Sequence, residues 1–482
     1  MNPSALSLQK SPLPVRYLST RGGVEPVGFV AAVMMGLGTD GGLLLPETVP
    51  QVGPDTLRDW SDLSFRDLAV ELMLPFVTDA IPRTDLVGLV DRSYKTFSHQ
   101  EITPLVRVGE QRVLELFHGP TASFKDVALQ FLGNVFEYLL AHDGGRLNIL
   151  GATSGDTGSA AIAGVRGKER IRIFILHPAG RVSPIQEWQM TTVLDANVHN
   201  IAIRGTFDDG QRIVKGLFND PDFKRQYHLG AVNSINWARI LAQIVYYFYA
   251  WGRMSRGDPE FRIGFAVPTG NFGDIFAGYM AKRMGLPIDR LLIATNRNDI
   301  LTRFVAGGPY ATGTVHPTLT PAMDIQIASN FERYLYFLVG EDPAAVRALF
   351  SNLDRIGYIQ VTAEQRATLT EDFDAVAVSD AQVLDQIRET YQRHSYLLDP
   401  HTAVGVYAAR NHANMVCLAT AHPAKFNDAV HRAIGTQAPL PPCLRGLLEK
   451  ETRCTLLDAT EEAVRGHIRA TLAASDRERV LA

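Results

Sequence analysis

Alternation of short apolar runs with polar loops and helix-forming stretches predicts an α/β chain built on parallel sheets flanked by helices. Two features carry that expectation. From residue 112 onward, each apolar run is followed by a loop of Gly, Ser, Thr or Asn and then by a stretch that favours helix. Of the 482 residues, 46% are hydrophobic and 20% charged, which supplies a sizeable core and excludes a disordered chain or a coiled coil.

In chain order, the first hundred residues read as mixed loops and helices and form a separate N-terminal domain, 1–100. Residues 64–74 have helical spacing behind the cap candidate Ser64, and residues 84–94 form a second helix. The strand candidates are 112–117, 147–151, 171–176, 263–267, 291–295 and 415–419. In such folds ligands sit outside the carboxyl ends of the strands, so chemistry is expected in the loops that follow them. Residues 341–395 carry charged helical stretches at 342–353 and 380–394 and read as a helical insertion.

Charge and cysteine usage narrow the function. Forty-seven basic against 51 acidic residues give a net charge of −4, with no basic field to recruit nucleic acid or an acidic membrane. Three cysteines, Cys417, Cys443 and Cys454, provide neither a disulfide framework nor zinc-site spacing. The first twenty residues lack the apolar core of a secretory signal. The most apolar helical stretch, 240–251, is interrupted by Gln243 and falls short of the roughly 20 residues that span a bilayer. The expectation is a cytoplasmic protein with no metal and no membrane or nucleic-acid partner.

Five constellations stand out. Lys125 lies in Phe117-His118-Gly119-Pro120-Thr121-Ala122-Ser123-Phe124-Lys125-Asp126, between a Gly-Pro turn and an apolar helix. It is either half of a solvated pair with Asp126 or a desolvated amine able to act as nucleophile or base. The loop Thr153-Ser154-Gly155-Asp156-Thr157-Gly158 opens an Ala-rich helix; it either binds an anion or simply caps that helix. Asp156 would repel a bound anion, so it is expected to turn inward and hold the loop's shape. Gly270-Asn271-Phe272-Gly273-Asp274 follows a strand and lacks both the dinucleotide and the P-loop signatures, which leaves a small phosphate or a plain turn. Asn233, Asn236 and Arg239 are spaced to share a helical face, with Arg239 offering a fork to a carboxylate or phosphate; the alternative is a capped helix start with an exposed arginine. Thr420 in Thr420-Ala421-His422-Pro423-Ala424-Lys425-Phe426 places a hydroxyl at a strand's carboxyl end, and residues 399–405 read as scaffold or cleft lining.

Together, and in this order, these motifs with the opening Tyr17-Leu18-Ser19-Thr20-Arg21-Gly22 resemble the threonine synthase family, which uses pyridoxal phosphate on the tryptophan-synthase-β-like fold (fold type II). The resemblance runs from about residue 17 to 430. It implies a catalytic region over 101–482, with a smaller mobile subdomain at roughly 140–240. It implies that Lys125 holds pyridoxal 5'-phosphate as a Schiff base and then serves as base and acid. The cofactor phosphate would sit on Gly270, Asn271, Phe272, Gly273 and Asp274, and Thr420 would meet the pyridine nitrogen. Ser154, Asp156, Thr157, Asn236 and Arg239 would bind the substrate, O-phospho-L-homoserine, which reacts with water to give L-threonine and phosphate. Two rivals share these motifs: a phospho-lyase that releases a 2-oxo acid, and a cofactor-binding protein without turnover. Oligomeric state is not readable from the sequence.

Overall fold

A computed structural model describes residues 14–481, with side chains through 474. Residues 1–13, which carry most of the no-signal expectation, lie outside the described residues. The chain divides into two compact units. One comprises residues 14–131 and 234–439, the other 132–233 and 440–481. The boundary expected near residue 100 therefore falls inside the larger unit. The C-terminal segment, which carries no motif, belongs with the smaller one.

The larger unit is organised on a six-stranded sheet in the order Phe373–Ala377, Ile288–Thr295, Ile263–Pro268, Met415–Ala419, Gln111–Glu115 and Leu105–Val108. Every pairing is parallel except the last. Ile263–Pro268 and Met415–Ala419 are wholly buried, which is why they read as continuous apolar runs rather than alternating ones. The helix Trp237–Ser255 is buried on almost every face and packs against the helix Gly273–Arg283. Parallel register brings the carboxyl ends of Gln111–Glu115, Met415–Ala419 and Ile263–Pro268 together, so the loops after them converge.

Helices appear near the expected places: Phe65–Val77 with Ser64 accepting from the Asp67 amide at 3.2 Å, and Arg83–Tyr94. The stretch 341–395 corrects the expectation of a purely helical insertion. It holds the helices Pro343–Ile356 and Asp380–His394, but it also contributes Phe373–Ala377 as the sheet's parallel edge strand.

The smaller unit has a five-stranded parallel sheet in the order Thr455–Asp458, Val198–Arg204, Ile171–Pro178, Leu147–Ala152 and Leu229–Gly230. Its core joins Leu150, Phe174, Leu176, Ile201 and Ile203 to Val464, Ile468 and Leu472. Those last three, spaced i, i+4 and i+8, are the apolar stripe of the C-terminal helix Glu461–Leu481.

Candidate functional site

Lys125 is the first residue of the helix Lys125–Asp143. The loop before it is tightly tied. Asp126 is fully buried and turns back on the loop, accepting from the Thr121 amide at 2.8 Å and the Thr121 hydroxyl at 2.7 Å. Burial pushes its carboxyl up to about 6, against the pull of those bonds and of Lys425. The solvated Lys125–Asp126 pair is thus not what forms. Across the loop, the Phe124 amide donates to the Thr420 carbonyl at 2.8 Å, the His422 amide to the Ala122 carbonyl at 3.1 Å, and Lys425 Nζ to the Thr121 carbonyl at 2.8 Å. Ala122 takes a positive φ of 56° inside this frame. Lys125 Nζ lies 4.9 Å from the Phe124 ring centroid.

Thr420 leaves the neighbouring strand Met415–Ala419. Its amide donates to the Thr402 hydroxyl at 3.2 Å, and that hydroxyl donates to Asp399, which caps the helix Pro400–Ala409. Residues 399–402 are therefore scaffold, as expected. Thr420 is 6% exposed, and its own hydroxyl makes no hydrogen bond among the described residues.

The third loop, after Ile263–Pro268, opens the helix Gly273–Arg283. No side chain among the described residues caps that helix, so its first amides are available to an anion. A Cβ on Gly270 would stand 2.7 Å from the Ala322 carbonyl oxygen, so only glycine fits there. The positive φ of the loop falls on Phe272, at 63°, and not on either glycine. Its ring is buried against Phe331, Tyr334 and Phe373, which leaves only backbone for a ligand. The Asp274 side chain is likewise turned into the protein. One oxygen accepts from the hydroxyls of Tyr246 and of Tyr247 (3.1 Å), and the other has no partner among the described residues. Burial raises its carboxyl to about 6, and the Lys125 charge pulls the other way. Of these two residues, the amides and not the side chains are left to face a ligand.

Asn233 precedes the helix Trp237–Ser255, so the expected single face of Asn233, Asn236 and Arg239 does not form. Asn236 is the cap: its Oδ1 accepts from the Ala238 amide at 3.0 Å and its Nδ2 donates to the Val33 carbonyl at 2.8 Å. Arg239 is 4% exposed, not a surface arginine. Its Nε and Nη1 have no hydrogen-bond partner among the described residues, and burial lowers its pKa to about 10.

In the smaller unit, Thr153 does the capping. Its hydroxyl accepts from the amides of Gly155 at 3.0 Å and Gly158 at 2.9 Å. Asp156 opens the helix Asp156–Val165, is 7% exposed, and accepts from Gln186 Nε2 at 2.7 Å. Its inward turn is as expected, though the donor is a side-chain amide. Ser154 is exposed and Thr157 half-buried.

The donor set of the larger unit fits pyridoxal phosphate. An uncapped helix start and a buried guanidinium with unused donors suit a phosphate. A lysine at a loop–helix junction suits an aldehyde, and an unclaimed hydroxyl suits a ring nitrogen. Sequence reasoning missed Asn330, which donates to the Asn271 carbonyl from about 60 residues downstream, and Arg333, which donates to Asn330. An arginine and an asparagine within the apolar run Phe331–Leu338 and its approach were the available signal.

Residues 16–94 match the family described as threonine synthase N terminus, 98–417 pyridoxal-phosphate dependent enzyme, and 402–468 threonine synthase, C-terminal. The chain is similar to the threonine synthase of Pseudomonas aeruginosa, with 49% identity over 450 residues, covering 92% of this chain and 96% of that one. It superposes on the structure of threonine synthase with bound PLP from Brucella melitensis with a TM-score of 0.92 at 46% identity, over 95% of this chain and 99% of that one. The structure of threonine synthase from yeast gives 0.90 at 45% identity, over 95% and 99%.

Proposed function

The chain belongs to the threonine synthase family of pyridoxal-phosphate-dependent lyases, and from that premise we propose that it converts O-phospho-L-homoserine and water to L-threonine and phosphate with Lys125 as the catalytic residue. Pyridoxal phosphate, when bound, supplies the electron sink that makes hydrogens at the substrate's Cα and Cβ removable. The chain's residues do the rest. Lys125 would hold the cofactor's aldehyde through its amine, and that amine, once free, would move protons at the substrate's Cα and Cβ. The tied loop 119–124 fixes the backbone from which the Lys125 side chain projects, which is the orientational part of the rate. Thr420 offers a neutral hydroxyl to the ring nitrogen. Unlike a carboxylate, it would not enforce ring protonation and so would temper the electron sink. The amides at Gly270–Asp274 would receive the cofactor phosphate.

Arg239 is assigned to an anionic group of cofactor or substrate, which would offset the cost of burying its charge. Asn236 positions the start of that helix. Ser154 and Thr157, with the amides opening their helix, are assigned to a substrate anion, and Asp156 to the shape of that loop.

Convergence of the lysine, the uncapped glycine loop and Thr420 at the ends of three adjacent strands carries this reading. The test is the product of purified protein with O-phospho-L-homoserine. Stoichiometric L-threonine and phosphate are expected; a 2-oxo acid and ammonia would identify a phospho-lyase, and no turnover at full cofactor occupancy a binding protein.

A further inference from the structure

We infer that Arg333, acting through Asn330, is the positioning residue that holds the glycine loop in its phosphate-receiving shape before the cofactor arrives. The inference rests on the reading of residues 270–274 as the cofactor-phosphate loop.

The loop needs such a brace. Phe272 sits at φ 63° and ψ 0°, a left-handed conformation uncommon for a bulky residue and kept only where surroundings over-determine it. The preceding carbonyl, of Asn271, is gripped twice by one residue. The Asn330 amide donates to it at 3.0 Å and Asn330 Nδ2 at 3.1 Å. The same Nδ2 reaches the Ser234 carbonyl at 3.2 Å. Next in sequence, Phe331 packs its ring edge-on to Phe272 with centroids 5.0 Å apart. Consecutive residues thus fix the loop's carbonyl and its side chain.

Arg333 decides which way the Asn330 amide faces. It is fully buried, and its Nη1 donates to Asn330 Oδ1 at 2.5 Å. A guanidinium has no acceptor, so it holds the oxygen toward itself and leaves Nδ2 facing the loop. Its other donors are spent on the Leu44 carbonyl, at 3.1 and 2.9 Å, and on the Ile235 carbonyl at 2.6 Å. The glycine loop, the start of the arginine-bearing helix and the N-terminal strand Leu44–Pro46 are therefore all tied to one buried side chain. Gly273 makes room for the latch: a Cβ there would lie 3.1 Å from Asn330 Nδ2.

Asn330→Asp separates the latch from ordinary stability. It keeps an oxygen for Arg333, adds a compensating charge and removes the Nδ2 donor. With full-length holoenzyme, thermal midpoint within a few degrees of wild type or above it is expected. The cofactor's dissociation constant by equilibrium dialysis should rise roughly tenfold or more, because both bonds made by Nδ2 are lost, one of them on the loop's own carbonyl. Turnover at saturating cofactor should change less than about threefold. Asn330→Ala, which adds no charge, should move the affinity in the same direction. Cofactor affinity within twofold of wild type in both variants overturns the latch. Where the variants do not fold, wild-type chain stripped of cofactor supplies the decision by amide hydrogen exchange. Protection of the Asn330 amide comparable to that of the following helix is expected, and free exchange until cofactor is added overturns the inference. Gly273→Val serves as control. If it too leaves cofactor affinity unchanged, the loop assignment itself fails; if it weakens binding while the Asn330 variants do not, only the latch fails.

Discussion

Lys125 owes its assignment to its place rather than to its residue type. Another buried lysine, Lys425, stands in the same neighbourhood, 2% exposed, with its ammonium spent on the Thr121 carbonyl. It is a strut for the loop that presents Lys125. Lys125→Ala should abolish both turnover and covalent cofactor attachment. Borohydride reduction followed by peptide mapping checks this, and a labelled peptide at Lys425 with normal turnover would move the assignment there. Asp156 poses the opposite question, whether a carboxylate near an anion site does chemistry. Its contact with Gln186 Nε2 needs only an acceptor, and an amide oxygen can provide one. Asp156→Asn should therefore lose less than about tenfold in turnover, with an equal or lower Michaelis constant because a negative charge is gone. A loss of roughly 10²-fold at full cofactor occupancy would mean that Asp156 transfers a proton.

At the scale of elements, the glycine loop makes the sharpest prediction. An added Cβ at Gly270 meets the Ala322 carbonyl, which is backbone and cannot swing aside, whereas at Gly273 it meets the end of a side chain. Gly270→Ala should therefore weaken cofactor binding more than Gly273→Ala, as measured by equilibrium dialysis; the reverse order would mean that the loop is shaped from the Asn330 side alone. The same loop shows what sequence can and cannot disclose. Its position after a strand was legible, because a wholly buried parallel strand writes itself as an uninterrupted apolar run; so were the loops of Lys125 and Thr420. Which atoms face a ligand was not. Phe272 and Asp274 look like site residues in the motif, yet one ring fills an aromatic cluster and one carboxylate serves two tyrosines. Nothing local in a sequence separates a side chain from the amide beside it. The missed strand Val198–Arg204 has a similar cause. His199 and Asn200 interrupt its apolar run, and both are accommodated inside, Asn200 by donating to the Met190 carbonyl at 2.9 Å. Phe373–Ala377 escaped because it is a half-exposed edge carrying Asp374, which pairs with Arg290 at 3.4 Å.

For the molecule as a whole, buried titratable groups set how stability responds to acid, and they pull in opposite directions. His199 and His422 are both held down to about 4, chiefly by burial. A histidine so depressed lends stability that is complete above its ordinary pKa of 6.5 and is lost as pH falls toward 4. Asp126 and Asp274, raised to about 6, act the other way: their contribution is complete below about 4 and is lost as pH rises through 6. Between about pH 4 and 6 the pairs offset each other, so the wild-type profile should be flatter than either pair alone would make it. One substitution exposes the hidden slope. The His199 ring stacks on Phe174 with centroids 4.7 Å apart and 18° between planes, and its Nε2 has no partner among the described residues, so His199→Phe removes a titration without removing a described hydrogen bond from that atom. His467, Arg453 and Arg172 add to the cost of charging His199, which fixes the sign of the effect. Taken as the difference from wild type, the variant should gain stability on acidification from pH 7.5 to 5, by on the order of 1–2 kcal/mol. Urea titrations of both proteins at the two pH values measure it. A difference that stays constant with pH would show that His199 is as easily charged in the folded chain as in the unfolded one.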